Sequence, residues 1–149
     1  FIAQSRTWPE NLGVGKPYDV DERLPDFLEW LCMNGMKNTK KAAELENRIM
    51  AYPATKGFQA EGSANLLSAY LLRKNGEKVK ADNLVNAVAV SKKSEKSTRW
   101  TEAVYSGNKS LASNIENEKD QVKFTDPYQA SWSDNDFGLM VKLSKVFGF

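Results

Sequence analysis

FQAEGSANLLSAYLLRKNGEKVKADNLVNAVAV, residues 58–90, reads as two helices joined at one glycine, and the rest of the chain is placed around it. Leu67, Tyr70 and Leu71 fall at i, i+3, i+4, one stripe of a helix running from about Gln59 to Asn75. Asn75-Gly76 ends that helix, because glycine takes the left-handed C-cap conformation without a steric penalty. Ala81, Leu84, Val85 and Val88 complete an apolar stripe on a second helix, from about Glu77 to Val90. So short a turn makes the two helices antiparallel and buries their stripes against each other.

Ala69, Leu72, Gly76, Ala81, Val85 and Val88 follow at intervals of 3, 4, 5, 4 and 3 residues. This spacing resembles the tetratricopeptide repeat, in which small residues, large residues and a turn glycine alternate over about 34 residues. Leu72 and Val85 depart from it, since the family usually has aromatics there, and Val88 stands for the usual alanine. The resemblance implies an all-α fold of antiparallel helical hairpins stacked as a short tetratricopeptide-like α-solenoid. It also implies a concave groove, lined by the first helix of each repeat, that holds a partner peptide. The groove positions implied are Ser63, Leu66, Tyr70, Arg73 and Lys74, with Arg73 and Lys74 suited to an acidic or C-terminal carboxylate. The structural alternative makes Leu66 and Tyr70 core residues, and makes the two cations partners of the helix C-terminus.

With 149 residues the chain is long enough for one domain with one core, read here as a single helical repeat-like domain over 1–149. It begins at Phe1, which reads as a processed form or a piece of a longer protein, such as its C-terminal domain. Histidine is absent, which excludes Ser-His and Cys-His catalysis and histidine zinc motifs. No cofactor or metal site is expected. Cys32 is the only cysteine, so no intrachain disulfide forms, and its apolar helical surroundings suggest a small core residue. The net charge of +2 is too small to point to nucleic acid or membrane. Residues 73–99 do carry eight Lys/Arg against three Asp/Glu, which suits a solvated helix face and a basic loop. No apolar run has the roughly 18 residues of a membrane helix, and the compartment stays open.

Taken in order, Phe1 to Arg6 reads as the tail of a helix, and Asn11 to Tyr18 as a loop. Gly13-x-Gly15-Lys16 is not a phosphate loop, because Glu10 and Pro17 stand where glycine and Ser/Thr are needed. Asp19-x-x-Glu22 resembles a capping box, opening a helix through Phe27, Trp30 and Leu31 that Asn34-Gly35 ends. Thr39 is expected to cap the next helix, with Ala42, Leu45 and Ile49 inward and Tyr52-Pro53 as its stop. This is a second helical hairpin, read as a degenerate repeat, with Trp30 and Lys37 where a small residue and a glycine are expected. Ser91 to Thr98 reads as a polar linker, Trp100 to Tyr105 as a short helix broken near Gly107, and Leu111 with Ile115 as another. Glu116 to Lys123 is expected to be exposed. Asn135 to Phe149 fits both a helix and an alternating strand, and its helical surroundings favour the helix.

The words WPENLGVGKPYDVDERLPDFLEWLC and YLLRKNGEKVKA are similar to helical C-terminal regions of large bacterial proteins with a β-rich front domain of unknown role. That likeness implies an association with carbohydrate metabolism and leaves carbohydrate open as a partner. Glycoside cleavage needs two facing carboxyls about 5–9.5 Å apart. The candidates are Asp19, Asp21, Glu22 and Asp26, then Asp126, Asp134 and Asp136; each cluster is equally explained by a helix start. Trp8, Trp30, Trp100 and Trp132 are candidates for stacking on sugar, with Trp30 favoured as core. Asn108-x-Ser110 is a glycosylation sequon. The leading expectation is a non-enzymatic module for protein–protein or interdomain docking; the alternative is a helical domain of a carbohydrate-active enzyme.

Overall fold

The computed structural model describes residues 21–52, 62–118 and 130–149. Among them are seven α-helices and no strand: α1 Arg23–Gly35, α2 Thr39–Ala51, α3 Asn65–Lys74, α4 Lys78–Ser91, α5 Lys96–Tyr105, α6 Lys109–Glu116 and α7 Ala130–Phe147. A 3-10 turn, Gly62–Ala64, leads into α3. The all-α expectation holds, including the helix at the C-terminal end. Asp19, the Gly13-x-Gly15-Lys16 stretch, Trp8 and Asp126 lie outside the described residues, and the side chains of Trp132, Asp134 and Asp136 are likewise not described.

Helices α1–α2, α3–α4 and α5–α6 form three hairpins, each closed by the same turn. Lys37, Gly76 and Gly107 all lie in the left-handed region, at φ of 57°, 79° and 76°. One residue later an amide reaches back to the last turn of the helix: Asn38 to the Met33 carbonyl, Glu77 to Leu72 and Asn108 to Ala103, at 2.8–2.9 Å. Each turn residue also donates to the carbonyl three residues back. This is the doubly bonded glycine cap of a helix C-terminus, made three times. In the first hairpin the left-handed residue is Lys37, and Gly35 is still helical. The cap of α2 is Asn38 and not Thr39, because Asn38 Oδ1 accepts from the Lys41 amide at 3.2 Å. Asn108, the sequon asparagine, caps α6 in the same way through the Leu111 amide at 3.1 Å.

Five residues after each turn stands an alanine, Ala42, Ala81 or Ala112, and all three are buried. Small side chains there let the two helices of a hairpin approach. Ala69, Leu72, Ala81 and Val85 form one buried cluster within the middle hairpin. The larger cluster, with Phe27, Leu45, Ile49, Leu66, Leu67, Leu71, Trp100 and Ile115, runs through all three hairpins and takes in Met140 and Leu143 of α7. The second helix of one hairpin packs on the first helix of the next, and the first helices α1, α3 and α5 meet in sequence.

Some local expectations give way. Cys32 is exposed, because the inward face of α1 is set by Leu24, Phe27 and Trp30. Helix α5 begins at Lys96, so the linker before it is four residues, 92–95. In α6 the inward pair is Ala112 and Ile115, while Leu111 faces solvent. Helix α3 begins at Asn65, behind the 3-10 turn, and residues 59–61 are outside the described part.

The first two hairpins are joined by a buried polar seam. Arg23 is 1% exposed, and its guanidinium donates to Asp21 (Nη2 to Oδ2, 2.6 Å), to Asn65 Oδ1 at 2.7 Å and to Ser68 Oγ at 3.3 Å. Ser68 Oγ in turn donates to the Ile49 carbonyl at 2.8 Å. A buried charge is tolerated when it is paired and its donors are filled, and here one arginine fills them from two hairpins. Gly62 follows the same logic of close approach: a Cβ there would sit 2.6 Å from Ser97 Oγ and from Thr98 Oγ1 of α5.

Candidate docking surface

Trp30 of α1 donates its indole N–H to Glu46 of α2 at 2.9 Å. Trp100 of α5 donates to Glu116 of α6 at 3.1 Å. Both tryptophans stand seven residues before the left-handed turn residue, and both glutamates nine after it. Trp30, Asn38, Ala42 and Glu46 therefore recur as Trp100, Asn108, Ala112 and Glu116, at a period of 70 residues. In the middle hairpin Ala69 and Val85 occupy the same two places.

Helix α7 lies over the first helices. Phe137 meets Trp100 edge-on with ring centroids 5.3 Å apart. At the other end Phe147 meets Phe27 at 5.7 Å, and Phe149 meets Tyr70 at 4.8 Å. Lys145 Nζ reaches Glu116 Oε2 at 2.9 Å. Burial pushes the Glu116 carboxyl up, but the bonds from Lys145 and Trp100 outweigh it and hold the group below the ordinary glutamate value. The charged run beginning at Glu116 predicts an exposed side chain; Glu116 is instead half-buried, because it answers both an indole and an ammonium.

The five residues of the implied groove are placed unequally. Ser63 and Leu66 are buried, Ser63 in the 3-10 turn and Leu66 in the main core. Tyr70 is half-buried among Phe27, Phe147 and Phe149. Arg73 and Lys74 are exposed at the end of α3. Tyr70 thus shares the covered face with Leu66, while the two cations sit at its rim. The Arg73 guanidinium carbon lies over the Tyr105 ring, 4.7 Å from its centroid. Lys74 lies over the Trp30 ring at 5.2 Å and 3.7 Å from Glu46. The Tyr105 hydroxyl donates to Asp82 at 2.6 Å, and burial together with that bond pushes it up to about 12.

The described carboxylates of the first acidic cluster are engaged. Asp21 holds Arg23, and Asp26 holds Arg48 at 2.5 Å. Trp30 and Trp100 are both buried, so neither offers a ring face to a sugar. Among the described residues no group of three or more Cys, Asp or Glu is arranged to hold a metal. No described helix is long and apolar enough to cross a membrane. No protein family, curated protein or solved structure matches this chain.

Sequence reasoning did not find the Trp–Glu pairs, the Arg23 seam or the Phe147–Phe149 contacts. The first has a signal, the 70-residue recurrence of Trp, Asn, Ala and Glu. The other two join distant segments, Arg23 to Asn65 and Ser68 of α3 and Phe149 to Tyr70, and no spacing encodes them.

Proposed function

We propose that the chain is a non-enzymatic helical repeat module, a short tetratricopeptide-like α-solenoid that docks a protein segment or a neighbouring domain. The observation that carries this reading is the threefold recurrence of one hairpin, with the same left-handed turn and the same buried alanine after it. Repeated hairpins bury their stripes against neighbours and present a continuous surface on which extended partners lie. The face of α1, α3 and α5 is the docking side, and Tyr70 with the rim cation Arg73 is its recognition element. The Arg73 guanidinium lies over the Tyr105 ring and its side chain is exposed, so its N–H groups are placed to address a carboxylate.

An array of peptides, half of them with free C-terminal carboxylates, probed with the full chain tests the reading. Binders are expected whose capture falls about tenfold with Tyr70→Ala or Arg73→Ala. Capture should be unchanged with Asn86→Ala on the outer helix α4. An array with no binder sensitive to Tyr70 or Arg73 would sink the docking function.

A further inference from the structure

We propose that the end of α7 and the two residues after it, Lys145 to Phe149, are an internal ligand of the docking face, and that the face accepts a partner peptide with two aromatics at i, i+2 behind a basic residue. The inference rests on the docking reading and adds what the face recognises and what keeps it shut. Three observations carry it.

The first is how the tip is held. Phe147 and Phe149 stack on each other, 5.8 Å apart and 17° from parallel. Together they meet Phe27 and Tyr70, one ring from each of the first two hairpins. Gly148, at φ 62°, gives the chain the reversal that brings Phe149 back beside Phe147. The pair is a two-ring plug in an aromatic slot.

The second is charge. Two residues before Phe147, Lys145 meets Glu116, whose other oxygen already holds the Trp100 indole. A carboxylate held by Trp100 thus stands within reach of the residue two positions before the first ring, and it favours a cation there in a segment that lies on the face.

The third is the grading of burial along α7. Met140 and Leu143 are 0% and 8% exposed, so the body of the helix belongs to the core. Phe147 and Phe149 are only half-buried, and Val146 between Lys145 and Phe147 is 76% exposed. The last turn also has carbonyls without partners further along the helix, the ordinary reason that helix ends open first. The tip can leave while Met140 and Leu143 stay.

The test is fluorescence polarisation with a labelled peptide of residues 142–149, KLSKVFGF, titrated with the full chain. The chain carrying both Phe147→Ala and Phe149→Ala should bind it at least tenfold more tightly than the wild type. A peptide with both phenylalanines replaced by alanine should not bind. Adding Tyr70→Ala to the double variant should abolish binding. Equal affinity for wild type and double variant overturns the proposal, as does no binding by a double variant whose circular dichroism is that of the wild type. Should the double variant unfold, Lys145→Glu decides, because it keeps both rings and sets two carboxylates against each other. It should bind the peptide more tightly than the wild type, and an unchanged affinity sinks the plug. Array peptides that depend on Tyr70 but do not compete with KLSKVFGF would leave docking standing and remove the internal ligand. Loss of every binder sensitive to Tyr70 or Arg73 would remove both.

Discussion

Seven residues before the turn, the outer hairpins carry Trp30 and Trp100, and the middle hairpin carries Ala69. Nine residues after it, the outer hairpins carry Glu46 and Glu116, and the middle one Val85. The two positions change together. A buried indole fills the space between two helices but brings one N–H that must find an acceptor. Glutamate supplies it and also meets a cation from a later helix: Lys145 on the second oxygen of Glu116, and Lys74 3.7 Å from the Glu46 oxygen that holds Trp30, whose other oxygen accepts from the Asn75 side-chain amide. Alanine and valine fill the same crossing with no polar atom and so ask nothing of their neighbours. The outer hairpins are thus tied electrostatically to helices further along the chain, and the middle crossing is held by apolar contact alone.

The largest way to break this comparison is to empty an outer crossing. Trp100→Ala and Trp30→Ala should each destabilise by about 3–5 kcal/mol, measured by urea unfolding. A loss under about 1 kcal/mol would mean that the rings do not carry their hairpins. Overfilling the middle crossing comes next. Ala81→Leu should cost about 1–3 kcal/mol, while exposed Lys78→Ala stays within about 0.5 kcal/mol. If Lys78→Ala melts low and Ala81→Leu melts with the wild type, the stripe faces the other way.

The turns give a smaller and signed test. Gly76→Val forces a β-branched residue into the left-handed region and should cost about 1–2 kcal/mol. Lys37→Gly makes the reverse change in the first hairpin and should raise stability by about 0.5–1 kcal/mol. A thermal melt of the pair that moved both ways alike would contradict the shared turn geometry. The smallest effect is the carboxylate of the third hairpin. The Glu116 value is lowered in the fold, so its charge contributes stability above the ordinary glutamate value of about 4.3, and that contribution fades as pH falls through the lower folded value. Glu116→Gln keeps an oxygen for Trp100 and loses the charge on Lys145, which is 67% exposed and so worth about 1 kcal/mol or less. Melts of wild type and variant should differ at pH 7 and converge as the pH falls below the ordinary glutamate value.

The middle hairpin was legible because its signals are local. Apolar stripes set its helices, and Gly76 announced its turn. The first hairpin was legible as two helices and as a degenerate copy, with Lys37 in the place of the glycine and Trp30 at the small position. Both substitutions weaken the match to a pattern of small residues, while the turn keeps the left-handed conformation of the others. The third hairpin showed its helices, yet its kinship to the first lies in an indole and a carboxylate 16 residues apart, a pairing without periodicity. The surroundings of the five residues proposed for the groove were only partly legible. Counting along α3 put Arg73 and Lys74 at its exposed end, but it could not see that Gly62 lets the 3-10 turn press on α5 and bury Ser63, or that the segment after α7 meets Tyr70.

In each of the three turns the residue after the left-handed one is already the cap of the next helix, so the connection holds no spare residue. An added residue there has nowhere to loop out. It would rotate the following helix by about 100° and carry Ala42, Ala81 or Ala112 out of the crossing. The links between hairpins, such as residues 92–95, have no such rule. Lineages of this chain should therefore vary in length between hairpins and keep a constant count within them, and the differing offsets of Lys37, Gly76 and Gly107 already follow that division.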